Sequence, residues 1–128
     1  MFTMENPLQH FELHEGYACY RPVGVVSLRE AEQLVSQSIA CAREQGIPRL
    51  LVNTTQLTGF DSLSITERYY FTYEMASQAG GMVKVAGVTL PERIPSQKFG
   101  ATVGFNIGFK IETFTSEDQA LLWLLAEE

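Results

Sequence analysis

One stretch of the sequence decides the fold: LLVNTTQLTGFDSLSITERYYFTYEMASQAG, residues 50–80. It begins with an apolar run without alternation, Leu50 to Val52, which is typical of a strand buried on both faces of a sheet. A polar loop follows, and then an aromatic-rich helix that a glycine at residue 80 is expected to end. Binding sites in open α/β sheets lie where the carboxyl end of a strand leads into a helix, so this loop is the first candidate site.

The sequence before this stretch predicts a hairpin and an amphipathic helix. Residues 10–20 read as two short strands on either side of a glycine. Ser27 and Glu30 form a capping box that opens a helix, and Gly46 is expected to close it. Apolar residues fall along one side of this helix and charged residues along the other, as in a helix that lies on a sheet.

The sequence after the stretch predicts two more strands and a closing helix. Residues 82–90 and 109–114 are rich in apolar and β-branched residues, which predicts strands. Residues 116–125 begin with Ser-x-x-Gln, another capping box, which predicts the start of a helix. Residues 96–107 could form a short helix, although Gly100 and Gly104 lower its propensity. This order predicts an α/β fold with a mainly parallel sheet of about five strands, an antiparallel N-terminal hairpin and about four helices.

Composition predicts one folded domain. The chain has 128 residues, of which 45% are hydrophobic and 19% charged, so it can bury a continuous core. We expect residues 1–9 to be a loose lead-in and residues 10–128 to form the domain. A formal charge of -6 without any basic cluster argues against nucleic acid and anionic membranes as partners, and leaves a basic protein partner open.

The cellular location is expected to be the cytoplasm. The first ten residues lack the basic and apolar regions of a secretory signal. No uncharged apolar run approaches the roughly 18 residues that a membrane-spanning helix requires.

Metal, cofactor and catalytic motifs are not predicted. Cys19 and Cys41 lack a CxxC spacing, so we expect two free, mostly buried thiols. His10 and His14 would lie about 13 Å apart along a strand, too far to bind one ion together. No serine has a histidine that the sequence can place beside it, so we expect neither a cofactor nor an enzyme activity.

The element order resembles that of the STAS domain, the fold of bacterial anti-sigma factor antagonists, over nearly the whole chain. Residues 56–62, QLTGFDS, are similar to the family's loop before the second helix, and residues 109–124, FKIETFTSEDQALLWL, are similar to its closing strand and helix. The bacterial SpoIIAA-like group gives the closer resemblance. The resemblance implies a non-catalytic regulatory module that acts through protein interaction.

The resemblance also implies a switch in the loop. In the anti-sigma factor antagonists the serine directly after the loop aspartate is phosphorylated, which corresponds here to Ser62, with Asp61 before it. A phosphate at Ser62 would lie near the positive end of the second helix. Helix capping is the alternative explanation, because Asp and Ser are ordinary caps and Ser64 with Glu67 forms a capping box.

The second helix departs from the family pattern. The anti-sigma factor antagonists continue with a second serine, a glycine and small residues, whereas this chain has bulky aromatic residues. Helical spacing assigns one buried face to the helix: Ile65, Tyr69, Thr72, Ala76 and Ala79. Tyr70 and Phe71 then point away from that face. Together with Phe60 they are candidates for a surface that binds a protein partner or a second copy of the chain, unless another helix or the loop covers them.

A small apolar ligand or lipid is the alternative partner. Aromatic residues of the loop, of the second helix and of residues 96–107 could line a cavity with few polar anchors: Phe60, Tyr69, Tyr73, Phe99 and Phe105.

Overall fold

The computed structural model describes residues 9–61, 63–93 and 107–126 of the chain. The strands are β1 Phe11–His14, β2 Tyr17–Tyr20, β3 Gly24–Val25, β4 Arg49–Asn53, β5 Leu57–Thr58, β6 Lys84–Val88 and β7 Ile111–Phe114. The helices are α1 Leu28–Glu44, α2 Ile65–Ala79 and α3 Glu117–Leu125, with a single 3-10 turn at Pro91–Arg93. The lead-in, apart from residue 9, and most of the possible helix at 96–107 lie outside the described residues.

Five of the strands form one mixed sheet in the order β1-β2-β4-β6-β7. The hairpin β1-β2 is antiparallel, and the other three pairs are parallel. Leu50 of β4 lies opposite Ala18 on one side and Val85 on the other. The predicted α/β class, the antiparallel N-terminal hairpin and the mainly parallel sheet of five strands are therefore confirmed, with three α-helices in the described part of the chain.

Two hydrophobic cores lie on the two faces of this sheet. On one face, α1 and α2 cover inward side chains of the strands, including Tyr20, Leu50 and Val52. On the other face, α3 covers Cys19 and Leu51 among others. No helix within the described ranges is long and apolar enough to cross a membrane.

The helix starts predicted from capping motifs are confirmed. Ser27 caps α1 and Ser64 caps α2, and in both cases the reciprocal bond from the glutamate three residues on is present. Ser116 caps α3 by accepting a bond from the amide of Gln119. Both cysteines are free and buried as expected, and burial raises the pKa of the Cys19 thiol to about 11.

A second, two-stranded sheet pairs β3 with β5 in parallel and was not predicted. The Val26 amide donates to Thr58 O at 2.8 Å, so the loop after β4 is held against the segment before α1. Gly59 follows β5 with φ +104°, and a Cβ on this residue would lie 2.5 Å from Val26 O. Strands of two residues carry too little pattern to be recognised in a sequence.

One ionic cluster joins α3 to the carboxyl edge of the sheet. Arg21, just after β2, donates to both carboxylate oxygens of Glu117, from Nε at 2.7 Å and from a terminal nitrogen at 2.9 Å. Asn53, at the end of β4, donates to the same carboxylate at 2.7 Å. The bonds from Arg21, more than burial or the Asn53 bond, set the pKa of Glu117, which lies below its usual value. Glu117 therefore holds the first turn of α3 over the ends of two strands.

The Gly59 contact predicts a costly substitution. We expect Gly59→Ala to lower the free energy of unfolding by about 2 kcal/mol or more, because it adds a backbone clash to a strained positive φ. Gly16→Ala is the control, since Gly16 also has a positive φ but nothing lies within 4 Å of the added Cβ. That variant should lose about 1 kcal/mol from strain alone. Chemical denaturation measures the free energy of unfolding of both variants. Equal losses in the two variants would contradict the close contact between residue 59 and Val26 O.

Candidate functional site

The loop from β4 to α2 is anchored at its first residues. The Asn53 carboxamide oxygen accepts bonds from the Thr55 amide at 2.9 Å and from the Thr55 hydroxyl at 2.7 Å, an Asx turn. The Thr54 amide donates to Val88 O at 2.9 Å, which extends the pairing of β4 with β6. The loop therefore leaves the sheet in one defined direction.

Two arginines hold the rest of the loop. Arg93 donates to Thr54 O at 3.2 Å and to Leu57 O at 2.7 Å, and its guanidinium lies 4.7 Å from the centre of the Phe60 ring. Arg68 on α2 donates to Leu63 O and to Arg93 O, both at 3.1 Å. Burial lowers the pKa of Arg68 from its usual value. Both guanidinium groups therefore satisfy backbone carbonyls, a structural role.

A cavity of about 200 Å³ lies beneath the loop, between α1, α2 and the sheet. Most of its lining is apolar, and the apolar lining residues include Val35, Val52, Leu57, Phe60, Phe71 and Met75. Glu32, Arg68 and Arg93 are the charged side chains among the lining residues described. The cavity therefore has a mostly apolar lining with a few polar groups, as small-molecule sites do.

Helix α2 is rotated relative to the face predicted from its sequence. Its buried residues are Thr72, Met75 and Ala79, and Phe71 is half-buried against the core and lines the cavity. The expectation that Phe71 points outward is therefore wrong. The predicted face is also wrong at its start, because Ile65 is 72% exposed. The helix lies against α1 as well as the sheet, so two neighbours decide which stripe is buried.

The outer face of α2 carries a cluster that we call the α2 outer surface: Ile65, Tyr69, Tyr70 and Tyr73. Tyr70 is 73% exposed, as the sequence predicted. The rings of Tyr69 and Tyr73 stack with centroids 4.9 Å apart, and their hydroxyls are 3.4 Å apart. That hydrogen bond, more than burial, raises the pKa of Tyr73.

The residues predicted for an apolar pocket do not come together as expected. Phe60 lines the cavity, but Tyr69 and Tyr73 are exposed on the opposite side of α2 and are not among its described lining residues. Phe99 and Phe105 lie outside the described residues. Phe60, also predicted for the interaction surface, lies half-buried beneath Arg93.

The proposed switch residues lie just before α2. Asp61 is exposed, and Ser62 itself lies outside the described residues. The cap of α2 is Ser64, whose hydroxyl accepts from the Glu67 amide at 3.1 Å. Phosphorylation of Ser62 therefore stays a prediction, whereas the capping role of Ser64 is confirmed.

Sequence reasoning missed Arg68 and Arg93, which shape the site. The only sign of the role of Arg68 in the sequence is its position on the helical stripe that continues through Thr72 and Met75. In the described ranges, no group of three or more His, Cys, Asp or Glu side chains could hold a metal ion. Models of known protein families give no match to this chain, and a search of curated proteins gives none either.

The rotation of α2 predicts opposite outcomes for two neighbouring aromatics. We expect Phe71→Ala to lower the free energy of unfolding by about 2–3 kcal/mol, because it removes a ring packed against the core. Tyr70→Ala should change it by no more than about 0.5 kcal/mol, because that ring is mostly in solvent. Thermal and chemical denaturation of the two variants measure the difference. A larger loss for Tyr70→Ala would contradict the orientation of the helix.

Proposed function

We propose that this chain is a non-catalytic, STAS-like module that acts by binding a protein, either a partner or a second copy of itself. The observation that carries the proposal is the α2 outer surface, four neighbouring side chains of which Ile65 and Tyr70 are more than 70% exposed. Contiguous apolar patches on a domain surface mark interaction sites, and tyrosine is enriched at interfaces.

The surroundings of this surface support a binding role. Arg68 and Arg93 donate to the backbone carbonyls of Leu63, Thr54 and Leu57, so these described parts of the loop are held in place without a partner. An ordered surface loses less conformational entropy on binding. The order β1, β2, α1, β4, α2, β6, β7 and α3 also agrees with the order on which the STAS resemblance rests, apart from the short strands β3 and β5. The further helix that the resemblance expects before β7 falls mostly outside the described residues.

A phosphate on Ser62 would add a regulatory step to this function. Ser62 precedes the Ser64 cap by two residues, so the phosphate would add negative charge close to the first turn of α2. The α2 outer surface begins at Ile65, three residues further on. Phosphorylation would therefore change the charge at the edge of the binding surface.

Affinity capture from the native host tests the interaction. We expect the wild-type chain to retain a specific protein, or itself, and the double variant Tyr70→Ala, Tyr73→Ala to lose at least about nine-tenths of it, because tyrosines at the centre of an interface carry much of the binding energy. Sedimentation at several concentrations distinguishes self-association from capture of another protein.

The matched control is Leu122→Ala, which removes an equally exposed apolar side chain from α3 on the other face of the sheet. It should leave capture unchanged. Full retention by the tyrosine variant would reject the α2 outer surface. In the same assay, unchanged capture by Ser62→Asp, together with no phosphate by intact mass, would reject the switch.

A small apolar ligand is the second candidate, favoured by the cavity beneath the loop. Its volume of about 200 Å³ is below the roughly 300–1,000 Å³ of drug-sized pockets. A dry cavity of about 150 Å³ is known to hold benzene. The size therefore favours a small ring or a short chain over a whole lipid.

Native mass spectrometry of the protein purified from its host tests this candidate. We expect a bound small molecule in the wild-type chain and none in Ala31→Leu, because Ala31 lines the cavity and a leucine would fill it. The control is Ala40→Leu, on the same helix but not among the described lining residues. If no molecule is bound to the wild-type chain, the proposal of a small apolar ligand is rejected.

A further inference from the structure

Helices α1 and α2 leave a second concave site, a groove of about 380 Å³ on their outer side. Helix α1 contributes Arg29, Glu32 and Ser36 to its lining, and α2 contributes Glu67, Tyr70 and Glu74. Tyr70 belongs to the α2 outer surface as well, so the groove is continuous with the proposed binding surface.

Among its described lining residues, the groove has more negative than positive charge. Three carboxylates, those of Glu32, Glu67 and Glu74, face one guanidinium, that of Arg29. Burial first, and then the charge of Glu67, raises the pKa of Glu32, with Glu74 adding to the rise and Arg29 opposing it. Glu67 uses one oxygen for the capping bond from the Ser64 amide at 2.8 Å. Within the described chain the Glu32 carboxylate has neither a hydrogen bond nor an ion pair.

A buried hydroxyl without a partner lies in the same groove. Ser36 is only 6% exposed, and its Oγ has no hydrogen-bond partner among the described residues. The other buried hydroxyls of these two helices are satisfied, since Ser38 donates to Val35 O at 2.7 Å and Thr72 donates to Arg68 O at 2.8 Å. Burying a polar group without a partner is costly, so a donor that docked in the groove and reached this hydroxyl would remove that cost.

We propose that the groove receives an arginine side chain of the protein partner that docks on the α2 outer surface. The inference rests on the proposed function and names the chemistry of its partner. A guanidinium has five N–H donors and no acceptor, which matches the carboxylates of Glu32 and Glu74 and the acceptor lone pairs of Ser36. Its flat face can lie against the Tyr70 ring. The net charge of -6 attracts such a basic partner from a distance.

Amide NMR titration with a capped five-residue peptide tests the proposal, using one arginine flanked by alanines. We expect shifts at Glu32, Ser36 and Glu74 with this peptide and none with a peptide in which neutral citrulline replaces the arginine. The double variant Glu32→Gln, Glu74→Gln should weaken binding by about tenfold or more, because it removes both carboxylates. Ser36→Ala should weaken it by a few-fold.

Glu44→Gln is the matched control, since it removes an exposed carboxylate from the end of α1 away from the groove. It should bind the peptide as the wild-type chain does. Equal shifts with the arginine and citrulline peptides, no shifts with either, or wild-type affinity in the double variant would overturn the proposal. Tighter binding of spermidine than of the peptide at the same amides would assign the groove to a small amine and also overturn it.

Affinity capture separates this proposal from the function on which it rests. If Tyr70→Ala, Tyr73→Ala loses the partner while Glu32→Gln, Glu74→Gln keeps it, the α2 outer surface stands and the arginine site is wrong. Loss of the partner in both double variants, with capture by Glu44→Gln unchanged, supports the arginine site. Retention of the partner by the tyrosine variant rejects the proposed function and, with it, the docking of an arginine.

Discussion

The burial of β4 on both faces is the constraint on which the rest of the structure depends. Leu50 and Val52 lie in the core beneath α1 and α2, whereas Leu51 lies in the core beneath α3, and each is at most 3% exposed. Full burial of side chains of this size contributes roughly 1.5–3 kcal/mol each. Because β4 is also the middle strand, pairing with β2 and β6, its side chains connect both cores and its backbone connects both halves of the sheet.

The polar loop begins where β4 ends, and its hydrogen bonds replace those of the strand. Where β4 ends, backbone carbonyl and amide groups lose their strand partners and need others. The Asn53 side chain accepts from the Thr55 amide, and the Thr54 amide donates to Val88 O. The small β3-β5 sheet pairs the middle of the loop, and Arg68 and Arg93 bind the carbonyls of Leu63 and Leu57. The Ser64 capping box then sets where α2 begins.

The sequence predicted the buried face of a helix correctly where the helix has only one apolar stripe. The first helix has charged residues on one side only, so its buried face is the one expected, with Ala31, Val35 and Ala42 inward. The second helix has aromatic residues on two stripes. A stripe through Ile65 and Tyr69 and a stripe through Phe71 and Met75 are equally regular, and helical spacing alone does not choose between them.

The sequence by itself determined the order of the five strands of the main sheet and of the three described helices, the starts of these helices and the double-sided burial of β4, because each depends on residues within about four positions of one another. Only the tertiary structure decided which aromatics of α2 face solvent, how two arginines reach the loop, and that the Ser36 hydroxyl, beside acidic residues of another helix, has no partner in the part of the chain that the structure describes. These features join residues distant in sequence, such as Arg93 and Leu57. Their contacts depend on how the layers pack, which local patterns do not encode.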